Sequence, residues 1–266
     1  MLIDIGANLT NKKFDNCLLE ILKSSFIEGI SYIIITGTTL SNSKKAIDIC
    51  KKFQNVKEIP ILKCTVGIHP HNAKEFNTNT KQQLKTLIEN NKDYVVAVGE
   101  CGFDLNRMFS SIESQTFAFE EQISLALELS MPLFLHEREG HLEFVKLLKK
   151  FTLFKPEMAV IHCFTGTCEE LDFYIKAGFY IGLTGFITNP KANYLINSIS
   201  KIPSTKLMIE TDSPFMTPNV VYKKINFNEP KYLTKILDEL TNILQLDKNR
   251  IENCIERNTK KFFKLN

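Results

Sequence analysis

The sequence predicts an α/β fold in which a single (β/α)8 barrel of the TIM type spans residues 1–266. Three observations support this: eight short apolar runs, amphipathic stretches between them, and a length of 266 residues, close to the ~250 residues typical of such barrels. The alternative is an open doubly wound sheet, but neither a GxGxxG turn nor a P-loop follows the first run. No linker or shift in composition divides the chain, so we expect one domain.

The eight apolar runs are rich in β-branched residues and are bounded by Gly, Pro, Asn or Thr, which indicates buried strands. Their nearly continuous hydrophobicity is typical of a parallel sheet that is covered on both faces. The predicted strands are Leu2–Asn8, Ser31–Gly37, Ile61–Gly67, Val95–Cys101, Pro132–His136, Met158–His162, Tyr180–Thr184 and Lys206–Glu210.

Helical spacing of apolar residues is found in the stretches between the strands. The stripes that we identify are Leu18, Leu22 and Phe26; Phe119, Ile123 and Ala126; and Ile251, Ile255 and Phe262. Gly178 is expected to end the helix that contains Asp172–Ala177, because glycine tolerates the left-handed conformation at a helix C-terminus. Asp247 is expected to cap the N-terminus of the last helix.

The composition, with 44% hydrophobic and 24% charged residues, is that of an ordinary globular protein. A net charge of +3 permits a polyanionic partner without arguing for one. The seven cysteines include no CxxC pair, which argues against a disulfide framework or zinc ribbon and favours a reduced, cytoplasmic chain, with the nucleus as the alternative. No apolar stretch reaches the ~18 residues of a membrane span, and the N-terminus lacks a signal-peptide core.

Polar residues collect where the predicted strands end. Four of the five histidines lie there, together with several carboxylates. The residues at these ends are Asp4 and Asn8, His69 and His71, Glu100 and Asp104, His136 and Arg138, His162, and Asp212. In a closed barrel the C-terminal strand ends converge on one face, where active sites form. The fifth histidine, His141, begins the helix after the fifth strand.

This mixture of imidazoles and carboxylates predicts a divalent metal site. Glu100, His136, His162 and Asp212 are the expected ligands, and such a set suits Zn²⁺, Mn²⁺ or Fe²⁺, whereas Mg²⁺ prefers oxygen ligands. A bound cation would activate water and polarise an electrophile, and Asp212 could orient that water or accept its proton. Taken singly, Glu100 and Asp212 could instead be helix caps. Cys101 and Cys163 are expected in the core, since neighbours on a strand face opposite ways.

Eight motifs resemble those of the TatD family of metal-dependent deoxyribonucleases, in the family's order and spacing. The motifs are DIGANLT at 4–10, GIHPH at 67–71, VGECGFD at 98–104, PLFLHER at 132–138, IHCFTGT at 161–167, YIGLTG at 180–185, IETDSP at 209–214 and NEP at 228–230. The resemblance implies a TIM-barrel phosphodiester hydrolase that removes nucleotides from single-stranded DNA, typically 3′ to 5′, with endonuclease activity in some relatives. RNA is a second candidate substrate, and a monomer is expected.

The resemblance also implies roles for particular residues. Glu100, His136, His162 and Asp212 match metal positions, and His69 and His71 match a pair that contacts phosphate. Catalysis is thus expected from Asp212, His69, His71 and Glu100, with further phosphate contacts from Arg138, His141 and Asn8. The family commonly uses Mg²⁺, with Mn²⁺ or Zn²⁺ in some relatives, as one or two ions. Its members have been associated with DNA repair and DNA catabolism.

Two departures from the family's pattern concern metal and phosphate binding. Members with a full two-metal site carry an HxH pair where this chain has Gly6 and Asn8, so a second ion would depend on Asp4 and on the substrate. The family often has arginine before the NEP motif, where this chain has Phe227. Lys223 or Lys224 is the candidate replacement for that phosphate contact.

Base stacking on Phe103, Phe164 or Phe186 is a further expectation, with simple packing of these rings as the alternative.

The main rival function is a metal-dependent amidase or esterase, such as an aminoacyl-tRNA deacylase, because the same metal chemistry serves carbonyl attack. A nucleic-acid-binding protein with a silent site would be expected to lack a ligand, and none of Glu100, His136, His162 or Asp212 is missing.

Overall fold

A computed structural model describes residues 1–222 and 226–266 of the chain. Eight parallel strands form one sheet in which each strand pairs with the next in sequence. The strands are β1 (Leu2–Ala7), β2 (Ile30–Ile35), β3 (Ile61–Val66), β4 (Val95–Asp104), β5 (Leu133–Arg138), β6 (Ala159–Ile161), β7 (Tyr180–Leu183) and β8 (Leu207–Ile209).

The helices lie between and after the strands. They are α1 (Leu18–Ile27), α2 (Leu40–Phe53), α3 (Thr80–Glu89), α4 (Ile112–Leu129), α5 (His141–Leu148), α6 (Cys168–Ala177), α7 (Asn193–Ile199), α8 (Asn219–Tyr222), α9 (Leu233–Leu244) and α10 (Lys248–Phe263). Among the described residues, no helix combines the length and the apolar composition required to cross a bilayer.

Backbone hydrogen bonds close the sheet between β1 and the segment after β8. The Asp212 amide donates to the Gly6 carbonyl at 2.8 Å, and the Asn8 amide donates to the Ser213 carbonyl at 2.7 Å. The predicted (β/α)8 barrel is therefore confirmed. Since all eight strands run the same way, their C-terminal ends surround one mouth of the barrel.

The barrel is filled by side chains and is sealed at its lower end by the last helix. Ile5, Ile34, Ala97, Phe134, Val160 and Met208 form an interior cluster, and Phe262 and Phe263 of α10 pack against it. A separate, larger cluster packs the outer face of the strands against the helices. The mouth is thus left as the place where polar strand-end residues meet.

The predicted end of α6 and the predicted start of α10 are confirmed, whereas the predicted buried face of α1 needs correction. Gly178 follows α6 with φ of 100°, and the Asp247 carboxylate accepts from the Arg250 amide at 2.9 Å. The predicted stripe on α1 is wrong at Phe26, which is 44% exposed. Residues four apart drift by about 40° around a helix at each step, so the buried face of α1 is centred on Ile21 and Leu22.

Candidate active site at the barrel mouth

A cavity of about 370 Å³ opens at the C-terminal ends of the strands. This volume lies within the range of roughly 300–1,000 Å³ found for small-ligand pockets. Most of the residues singled out by the sequence line it: Asn8, His69, His71, Glu100, His136, Arg138, His162 and Asp212. The structure therefore brings together strand ends that are up to two hundred residues apart in the chain.

The Glu100 carboxylate lies at the centre of the histidine cluster. Its Oε1 atom is 2.7 Å from His162 Nε2, 2.8 Å from His136 Nδ1 and 3.1 Å from His69 Nε2. Burial alone would raise the pKa of Glu100, but the positive charge of His162 holds that pKa well below its ordinary value. Glu100 is therefore a carboxylate in the folded protein.

The length of β4 places a second carboxylate beside the first. The sequence predicted that this strand ends at Cys101, but it continues to Asp104 and pairs with β5 as far as Arg138. Gly102 permits this, because a Cβ atom there would lie 1.9 Å from the His136 carbonyl oxygen. Residues four apart on a strand share a face, so Glu100 and Asp104 both point into the cavity.

The two histidines around Pro70 are fixed by local hydrogen bonds. His69 precedes a short 3-10 helix, Pro70–Glu75, and its Nδ1 accepts from the His71 amide at 3.0 Å. The proton of the neutral His69 ring therefore lies on Nε2, the nitrogen that faces Glu100. Burial lowers the pKa of His69 to about 4. Such a ring is suited to donating a hydrogen bond rather than to binding a cation through Nε2.

A buried carboxylate supports His162 from behind. Glu210 is fully buried, and its Oε2 lies 3.4 Å from His162 Nδ1. Space for it depends on Gly6 and Gly182, because a Cβ atom at those positions would lie 2.2 Å and 2.7 Å from its oxygens. Metal-binding histidines usually donate a hydrogen bond from the N–H of their second ring nitrogen to such a carboxylate. This arrangement leaves Nε2 of His162 directed at Glu100.

Asp212 lies on the side of the cavity formed by β8. Its Oδ1 accepts from Asn8 Nδ2 at 2.9 Å, and its backbone adopts a positive φ of 51°. Burial raises the pKa of Asp212 to about 7. The Asp212 side chain does not cap a helix in the described residues, so the capping alternative is wrong for this residue, as it is for Glu100, which lies within β4.

Asp4 lies outside the cavity lining. Its Oδ1 accepts from the amides of Thr211 at 2.9 Å and Gly6 at 3.2 Å, and its Oδ2 is hydrogen-bonded to the Thr211 hydroxyl at 2.5 Å. It therefore ties β1 to the end of β8. A Cβ atom at position 6 would lie 2.2 Å from Glu210 Oε2, so a histidine there would displace the carboxylate that supports His162.

The residues at the mouth fit a divalent cation. His136 lies between two carboxylates, with Nδ1 2.8 Å from Glu100 Oε1 and Nε2 3.4 Å from Asp104 Oδ2. Neither contact has the angles of a hydrogen bond, so both buried ring nitrogens lack a hydrogen-bond partner within the described residues. Unsatisfied buried nitrogens are costly, and a cation bound between imidazole and carboxylate would satisfy them. Glu100 and His136, with His69 beside them, have nitrogen and oxygen atoms within 4.8 Å of one another. His162 adds a further imidazole at Glu100, so Glu100, His136 and His162 are the ligands offered there, while His69 keeps its Nε2 proton.

Several predicted residues lie elsewhere. Cys163 is not in the core as predicted: it is partly buried and lines the cavity. The alternation of strand side chains does not reach it, because β6 ends at Ile161 and the Cys163 backbone has a positive φ of 47°. Phe103 and Phe164 are 1% exposed and pack in the core, so they do not stack bases. Phe186 is partly buried against the same core. Cys101 is fully buried, as predicted.

Three of the predicted phosphate-contact positions differ in their surroundings. His141 lies outside the lining, with Nδ1 2.8 Å from the Tyr174 hydroxyl. Phe227 packs edge-on against Phe14, with ring centroids 5.5 Å apart. Lys223 and Lys224 lie outside the described residues.

Four residues with a place in the site were not assigned one from the sequence. Asp104 holds His71 through an Oδ2–Nε2 contact of 2.7 Å, Glu210 supports His162, and Arg107 and Phe215 line the cavity. The even spacing of Glu100 and Asp104 could have revealed the first. Glu210 could not be recognised, because its role depends on the space left by Gly6 and Gly182.

Comparison with known proteins identifies the family. A family profile described as TatD related DNase matches residues 3–264. The chain belongs to this family. The 3'-5' ssDNA/RNA exonuclease TatD of Edwardsiella piscicida is 36% identical over 267 residues, covering 99% of this chain and 100% of the relative.

Solved structures of TatD proteins share the fold over the whole chain. A hydrolase TatD family protein from Entamoeba histolytica is 28% identical, with a TM-score of 0.88 and coverage of 100% of this chain and 98% of that one. YJJV, a TatD homolog from Escherichia coli K12, is 26% identical, with a TM-score of 0.90 and the same coverage. Membership of the TatD family makes the chain a hydrolase of the nuclease type, and it does not favour the amidase or esterase alternative.

Proposed function

We propose that this TatD-family chain is a metal-dependent exonuclease that hydrolyses phosphodiester bonds from the 3′ end of single-stranded DNA, with RNA as a second substrate. The observation that carries the proposal is the meeting of three imidazoles at one oxygen of Glu100, within a cavity that two arginines also line. The names of the similar exonucleases support the choice of nucleic acid.

The proposed cation ligands are Glu100, His136, His162 and Asp212, with Mg²⁺ as the physiological ion. When bound, the cation supplies a Lewis acid that polarises the phosphoryl group and lowers the pKa of water. Glu210 keeps His162 oriented towards this position. Asp4 is engaged with Thr211 and Gly6, so we propose that the chain itself holds one ion.

Asp212 is proposed to accept the proton of the attacking water. Asn8 occupies its Oδ1, which leaves Oδ2 to receive the proton. Its place beside the proposed cation puts this carboxylate within reach of a water that the cation would hold, as a general base requires. The attack is in line with the departing 3′ oxygen.

Phosphate oxygens are proposed to bind donors on the β3, β4 and β5 sides of the cavity. Arg107 and Arg138 are exposed side chains that line the cavity, and the rings of His69 and His71 line it beside them. Donors aimed at developing negative charge usually make the largest contribution to catalysis. His71 is held in place by Asp104.

The test is digestion of a 5′-labelled single strand with Mg²⁺ or Mn²⁺, with EDTA as control. The proposal expects a ladder that shortens from the 3′ end and disappears with EDTA. A parallel assay measures release of an amino acid from aminoacyl-tRNA. Cleavage that persists in EDTA, or deacylation without any strand shortening, contradicts the proposal.

A further inference from the structure

Two of the most exposed phenylalanine rings of the described chain lie at the barrel mouth. Phe109 is 58% exposed and Phe215 is 51% exposed. Phe215 lines the mouth cavity, and Phe109 packs edge-on against His71, which lines it, with ring centroids 4.8 Å apart. Aromatic side chains beside a positively charged groove are the usual stacking surfaces of proteins that bind single strands.

The backbone under Phe215 is held firmly. Its amide donates to the Asp212 carbonyl at 3.0 Å, and its carbonyl accepts from Asn228 Nδ2 at 2.7 Å. Asn228 is fully buried and also donates to the Thr211 carbonyl at 2.9 Å. The NEP motif at 228–230 therefore fixes the loop that presents the Phe215 ring.

The backbone next to Phe109 is fixed in a comparable way. The Ser110 hydroxyl donates to the His71 carbonyl at 3.0 Å and accepts from the Lys74 amide at 3.1 Å. Gln115 Nε2 donates to the Ser110 carbonyl at 2.9 Å. The Phe109 ring is thus presented to solvent from an ordered loop.

The two rings lie on opposite sides of the mouth. Phe109 follows β4 and Phe215 follows β8, and these strands are four positions apart in a ring of eight. The cavity that Phe215 lines and that Phe109 borders through His71 also contains Glu100, four histidines, Arg107 and Arg138. A polar, partly cationic centre between two apolar rings matches a phosphate flanked by two bases.

We propose that Phe109 and Phe215 are stacking platforms for two unpaired nucleobases, one on each side of the phosphate bound in the mouth cavity. This inference rests on the proposed nuclease function and extends it to the origin of single-strand selectivity. Every base has a π-face, so stacking on phenylalanine tolerates any sequence. Bases within a duplex are paired and stacked already, so they are not available to either ring.

The test measures strand binding by fluorescence anisotropy in EDTA, where cleavage does not interfere. The probes are a short 5′-labelled strand and the same strand with abasic residues at its two 3′-terminal positions. Phe109→Ala and Phe215→Ala are each expected to raise the Kd of the normal strand about tenfold, within the range of base–aromatic stacking. Neither change should weaken binding of the abasic strand. Phe109→Trp and Phe215→Trp should restore affinity.

Phe26→Ala is the matched control, because Phe26 is 44% exposed on α1 and does not line the mouth cavity. Unchanged Kd values in both alanine variants, or equal weakening of normal and abasic strands, would overturn the inference. Failure of the proposed function has a different signature. If the two rings bind bases but the protein does not cleave the strand in Mg²⁺ or Mn²⁺, the stacking inference holds and the proposed nuclease function is wrong.

Discussion

Glu100 is the residue on which the site depends, because one of its oxygens lies within 3.1 Å of nitrogens of three histidines. Its position could be predicted from the sequence, since the apolar run before it identified a strand end. The orientation of the imidazoles could not, because it depends on Glu210 behind His162 and on the amide that occupies His69 Nδ1. Contacts between residues far apart in sequence leave no local pattern.

Replacing Glu100 with Gln is expected to lower nuclease activity at least ~10²-fold, the order found when a single electrostatic contact at an active site is removed. The amide keeps the shape but lacks the charge that binds a cation. Activity on a single strand is measured with Mg²⁺, and metal binding by calorimetry. The control is Glu89→Gln, an exposed carboxylate at the end of α3. Undiminished turnover in Glu100→Gln would contradict the assignment.

The buried carboxyl group of Asp4 is expected to make the stability of the fold depend on pH. Burial raises its pKa from 3.8 to about 8 in the folded protein, so the folded state keeps a proton that the unfolded state loses. This contribution to stability is complete below pH 3.8 and is lost as pH rises towards 8. The side chain introduced by Asp4→Asn is neutral at every pH, and its amide can donate to the Thr211 hydroxyl.

Between pH 5 and 7, the free energy of unfolding of the wild type should fall by about 1.4 kcal/mol per pH unit relative to that of Asp4→Asn. Urea unfolding in EDTA at both pH values measures this difference. Asp48→Asn, at an exposed position of α2, is the control and should show no such trend. A constant difference between Asp4→Asn and wild type would show that Asp4 is ionised in the folded protein.

At the scale of secondary structure, the residues that begin and end helices were predicted more reliably than the residues that form their buried faces. Gly178 and Asp247 end and begin helices where the sequence placed them, because left-handed backbone and side-chain capping are local properties. Phe26 was misplaced because a helix as short as α1 fits several stripes. The extension of β4 to Asp104 was missed because it depends on close approach of Gly102 to β5.

Asp247→Ala is expected to lower the free energy of unfolding by about 1 kcal/mol, the usual cost of removing an N-cap. The carboxylate that satisfies the Arg250 amide would be lost, and α10 would fray at its start. Urea unfolding measures the change. Asp48→Ala, at an exposed position within α2, should stay within about 0.5 kcal/mol of wild type. Equal effects of the two substitutions would show that the cap does not stabilise α10.

For the whole molecule, the number, order and approximate bounds of the strands followed from the sequence, because a parallel barrel buries each strand on both faces. How the barrel is sealed did not follow from it. Phe262 was predicted only as part of an apolar stripe on the last helix. In the structure it packs on Tyr180 of β7, with centroids 4.9 Å apart, and closes the lower end of the barrel interior.

Phe262→Ala is expected to destabilise the protein by about 3 kcal/mol, at the lower end of the range for buried phenylalanines. The loss of the ring would leave a cavity beneath Tyr180 and admit water to the interior cluster. Chemical denaturation measures the effect, and Leu153→Ala, 75% exposed, is the surface control. A change below about 1 kcal/mol would mean that α10 does not seal the barrel.

The central claim is that the strand ends hold a divalent cation at Glu100. Crystals grown in excess Mn²⁺, measured at the manganese absorption edge, test it directly. The account predicts an anomalous peak in the mouth cavity, at bonding distance from Glu100 and from His136 or His162. The absence of any peak there, in crystals of protein that digests single-stranded DNA with Mn²⁺, would contradict it.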